Sequence, residues 1–136
     1  MGTRISVRYA ETDQMKIAHH SNYAIWYEAA RTEYIKELGI TYSECEKRGY
    51  MLPLISLECK YIKPAFYEDE LIITAYMDKV TPVRMILAYE VRKEGFDEII
   101  ATGKTSHVWT DLNLKPINLK KNDIELYKMM TKGLVR

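Results

Sequence analysis

The chain of 136 residues has no apolar run approaching the roughly 20 residues that a helix needs to span a bilayer, so stable membrane insertion is not expected. Charge of one sign is equally lacking: 20 Lys and Arg stand against 19 Asp and Glu. That balance argues against a large nucleic-acid footprint while leaving room for a local basic patch. Internal repeats, low-complexity tracts and linker-like stretches are missing, which predicts one domain over residues 1–136, long enough to bury a core. Met1-Gly2-Thr3-Arg4 runs straight into a strand pattern, without the apolar segment of a secretory signal. The two cysteines, Cys45 and Cys59, lack metal or redox spacing. Two free thiols fit a packing role and a cytoplasmic location. Histidine is scarce as well. His19 and His20 are adjacent and His107 is remote, too few ligands for a zinc site, so no metal is expected. There is no glycine-rich phosphate loop, so any nucleotide would have to be met by side chains.

Eleven tyrosines are plentiful for this length; strand and interface positions are their default roles. Arg4 to Ala10 alternates Ile5, Val7 and Tyr9 with polar residues and reads as a strand. A loop follows from Glu11 to about His20. Ser21 or Asn22 can then cap a helix whose apolar positions Tyr23, Trp26, Tyr27, Ala30, Tyr34 and Leu38 recur at helical spacing. Gly39 stops it, and Thr41 with Glu44 is a capping-box pattern for a short second helix ending near Gly49. Beyond Met51 the period becomes two, with strands expected at about 53–63, 70–81, 83–94 and 98–111. Ile72, Thr74 and Tyr76, and then Leu87, Tyr89 and Val91, carry the alternation. Thr81-Pro82 and Glu94-Gly95-Phe96-Asp97 are turn signals that make the last three strands an antiparallel meander. Asn122 with Glu125 predicts a C-terminal helix running to about Met130.

The chemistry concentrates in one segment, Tyr9 to Tyr23. It contains a carboxylate, Asp13, a loop with two histidines and the start of the long helix. A helix N-terminus offers unpaired backbone N–H groups and partial positive charge, suited to a developing oxyanion. A nearby carboxylate can act as base or nucleophile, although an aspartate in a loop is also a common turn cap. Tyr23 fits equally well as a core residue.

Glu11-Thr12-Asp13, His20, Asn22-Tyr23 and the run Tyr27-Glu28-Ala29-Ala30-Arg31-Thr32-Glu33, with a second block from Tyr61 to Leu71, resemble the hotdog-fold acyl-CoA thioesterases of the 4-hydroxybenzoyl-CoA thioesterase family. The likeness runs in order through nearly the whole chain. It implies an α+β hotdog fold: an antiparallel five-stranded sheet wrapped around one long central helix, with short extra helices. It also implies hydrolysis of an acyl-CoA substrate. Asp13 would be nucleophile or general base and the backbone N–H near His20 the oxyanion donor. Asn22 and Tyr23 would line or polarise the acyl site, and Arg84 and Lys115 would meet the phosphates of coenzyme A. No cofactor is implied, because a thiolate leaves readily without a metal. Members of the family are homodimers or homotetramers, and pairing protomers edge to edge would remove exposed sheet edges. Lys16 stands where the family commonly has glycine, and Glu28 is a reserve candidate because other hotdog thioesterases use a glutamate on the central helix. A hydratase of the same fold and a non-catalytic acyl-CoA or acyl-carrier-protein binding module are the alternative readings.

Overall fold

The computed structural model describes residues 2–134. In chain order the elements are β1 (Thr3–Ser6), a 3-10 turn (Tyr9–Glu11), α1 (Ser21–Leu38), α2 (Tyr42–Lys47), β2 (Leu54–Tyr61), β3 (Glu70–Val80), β4 (Arg84–Lys93), β5 (Ile99–Val108), α3 (Leu119–Asn122) and α4 (Ile124–Lys132). The strands form one five-stranded antiparallel sheet in the order β1-β3-β4-β5-β2. The meander β3–β4–β5 is its centre, and α1 packs against β3 and β1. This is the hotdog arrangement.

Period-two alternation builds the face that α1 covers. Leu71, Ile73 and Met77 of β3 and Met85, Leu87, Tyr89 and Val91 of β4 are fully buried. Ile72, Thr74 and Tyr76, which carry the alternation in the sequence of β3, lie on the opposite, half-buried face. Tyr23, Trp26, Tyr27, Ala30 and Ile35 bury the facing stripe of α1. Tyr34 and Leu38 are only half-buried at its edge, where the Tyr34 hydroxyl accepts the Met77 N–H at 3.0 Å. The helix comes close to β5 because residue 103 is glycine. A Cβ there would lie 2.8 Å from Cζ of Tyr27, whose ring stacks on Tyr89 at 4.5 Å.

Several element ends depart from the sequence expectation. β1 stops at Ser6, four residues early. Val7 instead gives its N–H to Asp69, and the backbone turns at Tyr9–Glu11. His20, rather than Ser21 or Asn22, is the cap residue of α1 and offers no side-chain cap. The C-terminus of α1 ends as expected at Gly39, at φ 118°, with its N–H on the Ile35 and Lys36 carbonyls. The C-terminal helix is split in two. Asn118 caps α3 and Asp123 caps α4, and Asn122 is the last residue of α3 rather than a cap.

Candidate active site

Residues 12–18 fold back as a small hairpin. Thr12 bridges Ala18, the Asp13 N–H reaches the Ile17 carbonyl at 3.0 Å, and the Lys16 N–H reaches the Asp13 carbonyl at 2.9 Å. Lys16 sits at φ 67°, the left-handed position that such three-residue loops usually give to glycine. A side chain there costs roughly 1–2 kcal/mol. The Asp13 carboxylate helps to hold the turn, with Oδ1 accepting the Met15 N–H at 2.8 Å. The second oxygen has no partner among the described residues. The hairpin is tied to the chain after β2, where Ile17 bridges Phe66 and the Ala18 N–H reaches the Ala65 carbonyl at 2.8 Å. The two blocks that carry the family resemblance thus meet in space.

The start of α1 is fixed to the same loop from both sides. The Asn22 side-chain amide donates to the Glu11 carbonyl at 2.9 Å and to the His19 carbonyl at 3.1 Å. His19 Nδ1 accepts the Ser21 N–H and bonds the Ser21 hydroxyl, and its ring lies 4.1 Å from that of His20. The His20 N–H has no acceptor among the described residues. It is therefore free at the positive end of an 18-residue helix. Glu11 turns away from this site. Burial pushes its carboxyl up, but the Arg8 backbone N–H, the Trp26 indole and the Arg8 guanidinium outweigh that and leave it below the ordinary glutamate range. It is an ionised brace between the 3-10 turn and α1, bonded to Arg8 N at 2.8 Å and Trp26 Nε1 at 3.2 Å.

A cavity of about 330 Å³ opens between the hairpin, the start of α1 and the end of β2. Asp13, His20 and Tyr23 line it together with Met15, Ile17, Ala18 and the segment Tyr61–Pro64. Tyr23 and Tyr61 meet edge to face at 4.9 Å, and burial pushes the Tyr23 hydroxyl up to about 12, so it stays neutral and can donate. The structure thus brings Asp13, His20 and Tyr23 together. Asn22 does not line the cavity, because both amide protons are committed to carbonyls; it positions the helix start instead. Glu28 lies along another groove, with Thr3, Ile25 and Glu33. The lining residues Met15, Ile17 and Ile62 were not singled out by the sequence; their only signal is apolar character inside an otherwise polar loop or at a strand end.

Arg84 and Lys115 sit elsewhere in the protomer. Tyr61 pairs with Ala101 near the beginning of β5 and Arg84 with Val108 at its end. That places the two regions roughly 23 Å apart along the strand at about 3.3 Å per residue. Lys115 is in the loop beyond β5, at the Arg84 end, with its N–H on Asp111 Oδ1 at 3.0 Å. His107 is buried at the same end. No group of three or more His, Cys, Asp or Glu side chains among the described residues is placed to hold a metal ion, and no helix among them is long and apolar enough to cross a membrane.

Comparison with known proteins adds a family to this geometry. The family model for the thioesterase-like superfamily matches residues 7–125. The Bacillus subtilis (strain 168) protein named "Putative acyl-CoA thioesterase YneP" is 35% identical over 118 residues, covering 86% of this chain and 85% of its own. A 1,4-dihydroxy-2-naphthoyl-CoA hydrolase of Prochlorococcus marinus (strain NATL1A) is 25% identical over 85% of this chain and 79% of its own. Among solved structures, a DHNA-CoA thioesterase from Staphylococcus aureus superposes with a TM-score of 0.88 at 34% identity, covering 96% of this chain and 87% of that one.

Proposed function

This chain belongs to the thioesterase-like superfamily, and on that footing we propose that it hydrolyses the thioester of an acyl-CoA to a carboxylic acid and coenzyme A at the Asp13 cavity. The observation that carries the reading is that one cavity is lined both by Asp13, whose second carboxylate oxygen has no partner among the described residues, and by His20, whose helix-start N–H has no acceptor among them. The acyl group enters the apolar cavity. Its carbonyl oxygen meets the His20 N–H, which with the helix dipole stabilises the tetrahedral oxyanion. Asp13 acts through its open oxygen. It either attacks the carbonyl carbon and expels the thiolate to leave a mixed anhydride that water hydrolyses, or it takes a proton from the water that attacks. Asp13 Oδ1 stays on the Met15 N–H, which holds the carboxylate in place and lowers the entropy lost on reaching the reactive geometry. Single-turnover hydrolysis in oxygen-18 water tests the first route: label in Asp13 requires an anhydride opened by water at the Asp13 carbonyl, whereas label in the product acid alone means that water attacks the acyl carbon, whether of the thioester or of the anhydride.

The remote cations enter through a second copy. β2 is an open sheet edge. A copy paired antiparallel along it brings its own Leu54 end, with its Arg84 and Lys115, beside the Tyr61 end of this one. The phosphates of a coenzyme A bound at Asp13 are then met from the neighbouring protomer, and a homodimer is the smallest complete enzyme.

The decisive experiment is thiol release from short, long and aromatic acyl-CoAs by wild type and Asp13→Asn. Asparagine keeps an oxygen for the Met15 N–H, so the turn persists while the charge is lost. The expected result is a fall in kcat/KM of about a hundredfold or more. Equal turnover by both proteins removes Asp13 from the chemistry. Tight binding without thiol release by either points to a binding module instead.

A further inference from the structure

A second cavity, of about 570 Å³, lies against the same hairpin and is lined by Tyr9, Thr12, Asp13, Gln14, Lys16 and Tyr67. Asp13 belongs to both cavities, so a group reacting there has two directions in which to extend. The two cavities differ in chemistry. Apart from Asp13, His20 and Lys63, the first is walled by apolar and tyrosine side chains. Its lysine is already engaged, with Lys63 Nζ 2.9 Å from the Glu98 carboxylate. The second has two exposed tyrosine rings, Tyr9 and Tyr67, meeting edge to face at 5.7 Å, with the hydroxyl of Thr12 and the amide of Gln14. Its cation, Lys16, has no ion pair among the described residues.

Lys16 also occupies a backbone position that favours glycine, at φ 67°. The turn itself gains nothing from a lysine there, since the bond that closes it uses the Lys16 main-chain N–H. The side chain therefore has to be explained by what it faces, and strained backbone next to a reactive group is where a functional constraint is expected.

We infer that this second cavity is a subsite for a negatively charged group of the substrate, read by the Lys16 ammonium in the cavity that the Tyr9 and Tyr67 rings also line. The inference rests on the thioesterase reading for what the substrate is. An anionic group can reach the subsite from either arm of a thioester, as a carboxylate ending the acyl chain or as a phosphate of coenzyme A. Both offer the same recognition, a charge-assisted hydrogen bond from an ammonium. The Asp13 carboxylate repels such an anion, so its seat is on the Lys16 side of the cavity, which keeps it out of the reacting position.

The test is calorimetric binding of four non-hydrolysable thioether analogues: glutaryl and pentanoyl chains, each on coenzyme A and on phosphate-free pantetheine. Wild type, Lys16→Met and Lys16→Arg are compared. The expected result is that Lys16→Met lowers the preference for glutaryl over pentanoyl by about tenfold on both carriers, and that Lys16→Arg restores most of it. If Lys16→Met instead lowers only the preference for coenzyme A over pantetheine, the subsite stands and its anion is the phosphate. Unaltered ratios in Lys16→Met overturn the proposal. So does an equal weakening of all four analogues, which would make Lys16 a support for the hairpin. Thiol release from the matching thioesters is read separately. Its absence with the binding ratios as expected sinks the hydrolase reading and leaves the subsite standing.

Discussion

Single residues here hold two roles at once. Asp13 is both the turn cap and the candidate reactive group, because a carboxylate has two oxygens and the turn uses only one. Both roles were legible in the sequence as alternatives; that they are compatible was not, since it depends on which oxygen the Met15 N–H selects. His107 shows a different outcome. A one-way relay of hydrogen bonds runs from Arg31 Nη1 to the Tyr89 hydroxyl at 3.1 Å, on to Thr105 Oγ1 at 2.6 Å, to His107 Nε2 at 2.9 Å, and from Nδ1 to the Leu52 carbonyl at 3.3 Å. A guanidinium only donates and a carbonyl only accepts, so the direction is fixed and His107 carries its proton on Nδ1. Burial, then the Arg31 charge, hold its pKa down at about 4 against the pull of the Leu52 carbonyl. The unfolded chain therefore binds a proton that the folded one refuses between about pH 6.5 and 4. Its contribution to stability is whole above pH 6.5 and is lost as the pH falls towards 4, by about 3 kcal/mol at most. Urea titrations of wild type and His107→Gln across that range should show a steeper acid loss in wild type. Parallel curves would mean that the histidine does not titrate differently on folding.

Elements were read from periodicity, and periodicity is blind to close approach and to tertiary capping. The stripe Tyr23, Trp26, Tyr27, Ala30 gave the buried face of α1, and the turn signals gave the meander, because both are local patterns. The cap of α1 was misplaced because its start is fastened by the Asn22 amide to carbonyls in the preceding loop, not by a cap side chain. β1 was read too long because Val7 and Tyr9 continue the alternation, although Tyr9 is 77% exposed and the Glu11 brace has already turned the chain. Gly103 carried no signal at all, yet it sets the distance between α1 and β5. Gly103→Ala puts a methyl group into the Tyr27 ring, which is already stacked on Tyr89. Overpacking of this kind costs about 1–3 kcal/mol. The ring is one turn along α1 from Tyr23, so relief comes by lifting the helix start that carries the His20 N–H. The variant should lose that stability in a denaturant melt and lose kcat more than acyl-CoA affinity. A melt matching wild type would show that the ring can tilt aside.

The longer of the molecule's two sheet edges, β2, has no neighbour on its outer side among the described residues. All residues of β2 but Cys59 are exposed, and Leu54, Ile55, Leu57 and Tyr61 are 41–52% exposed. Water-exposed apolar side chains on an unpaired strand are what a second copy would cover. Nothing in the sequence distinguishes β2 from a central strand, because an edge is defined by which neighbours are missing. The register of a two-fold pairing can be argued from charge. Side chains on the same face must oppose each other, so the axis passes through a residue. An axis at Glu58 sets two carboxylates face to face, and one at Leu57 sets Glu58 opposite Ser56. An axis at Cys59 sets each Glu58 opposite Lys60 of the other copy, two ion pairs at the centre of the joint edge. Glu58→Lys then turns both pairs repulsive and should weaken the dimer by about tenfold or more in sedimentation; adding Lys60→Glu should restore it. Under the proposed arrangement, in which Arg84 and Lys115 of the other copy meet the coenzyme A phosphates, thiol release should fall and recover with assembly. A Glu58→Lys protein that sediments as wild type would rule out the Cys59 axis. A wild type that sediments as an active monomer would remove the second copy from the site altogether.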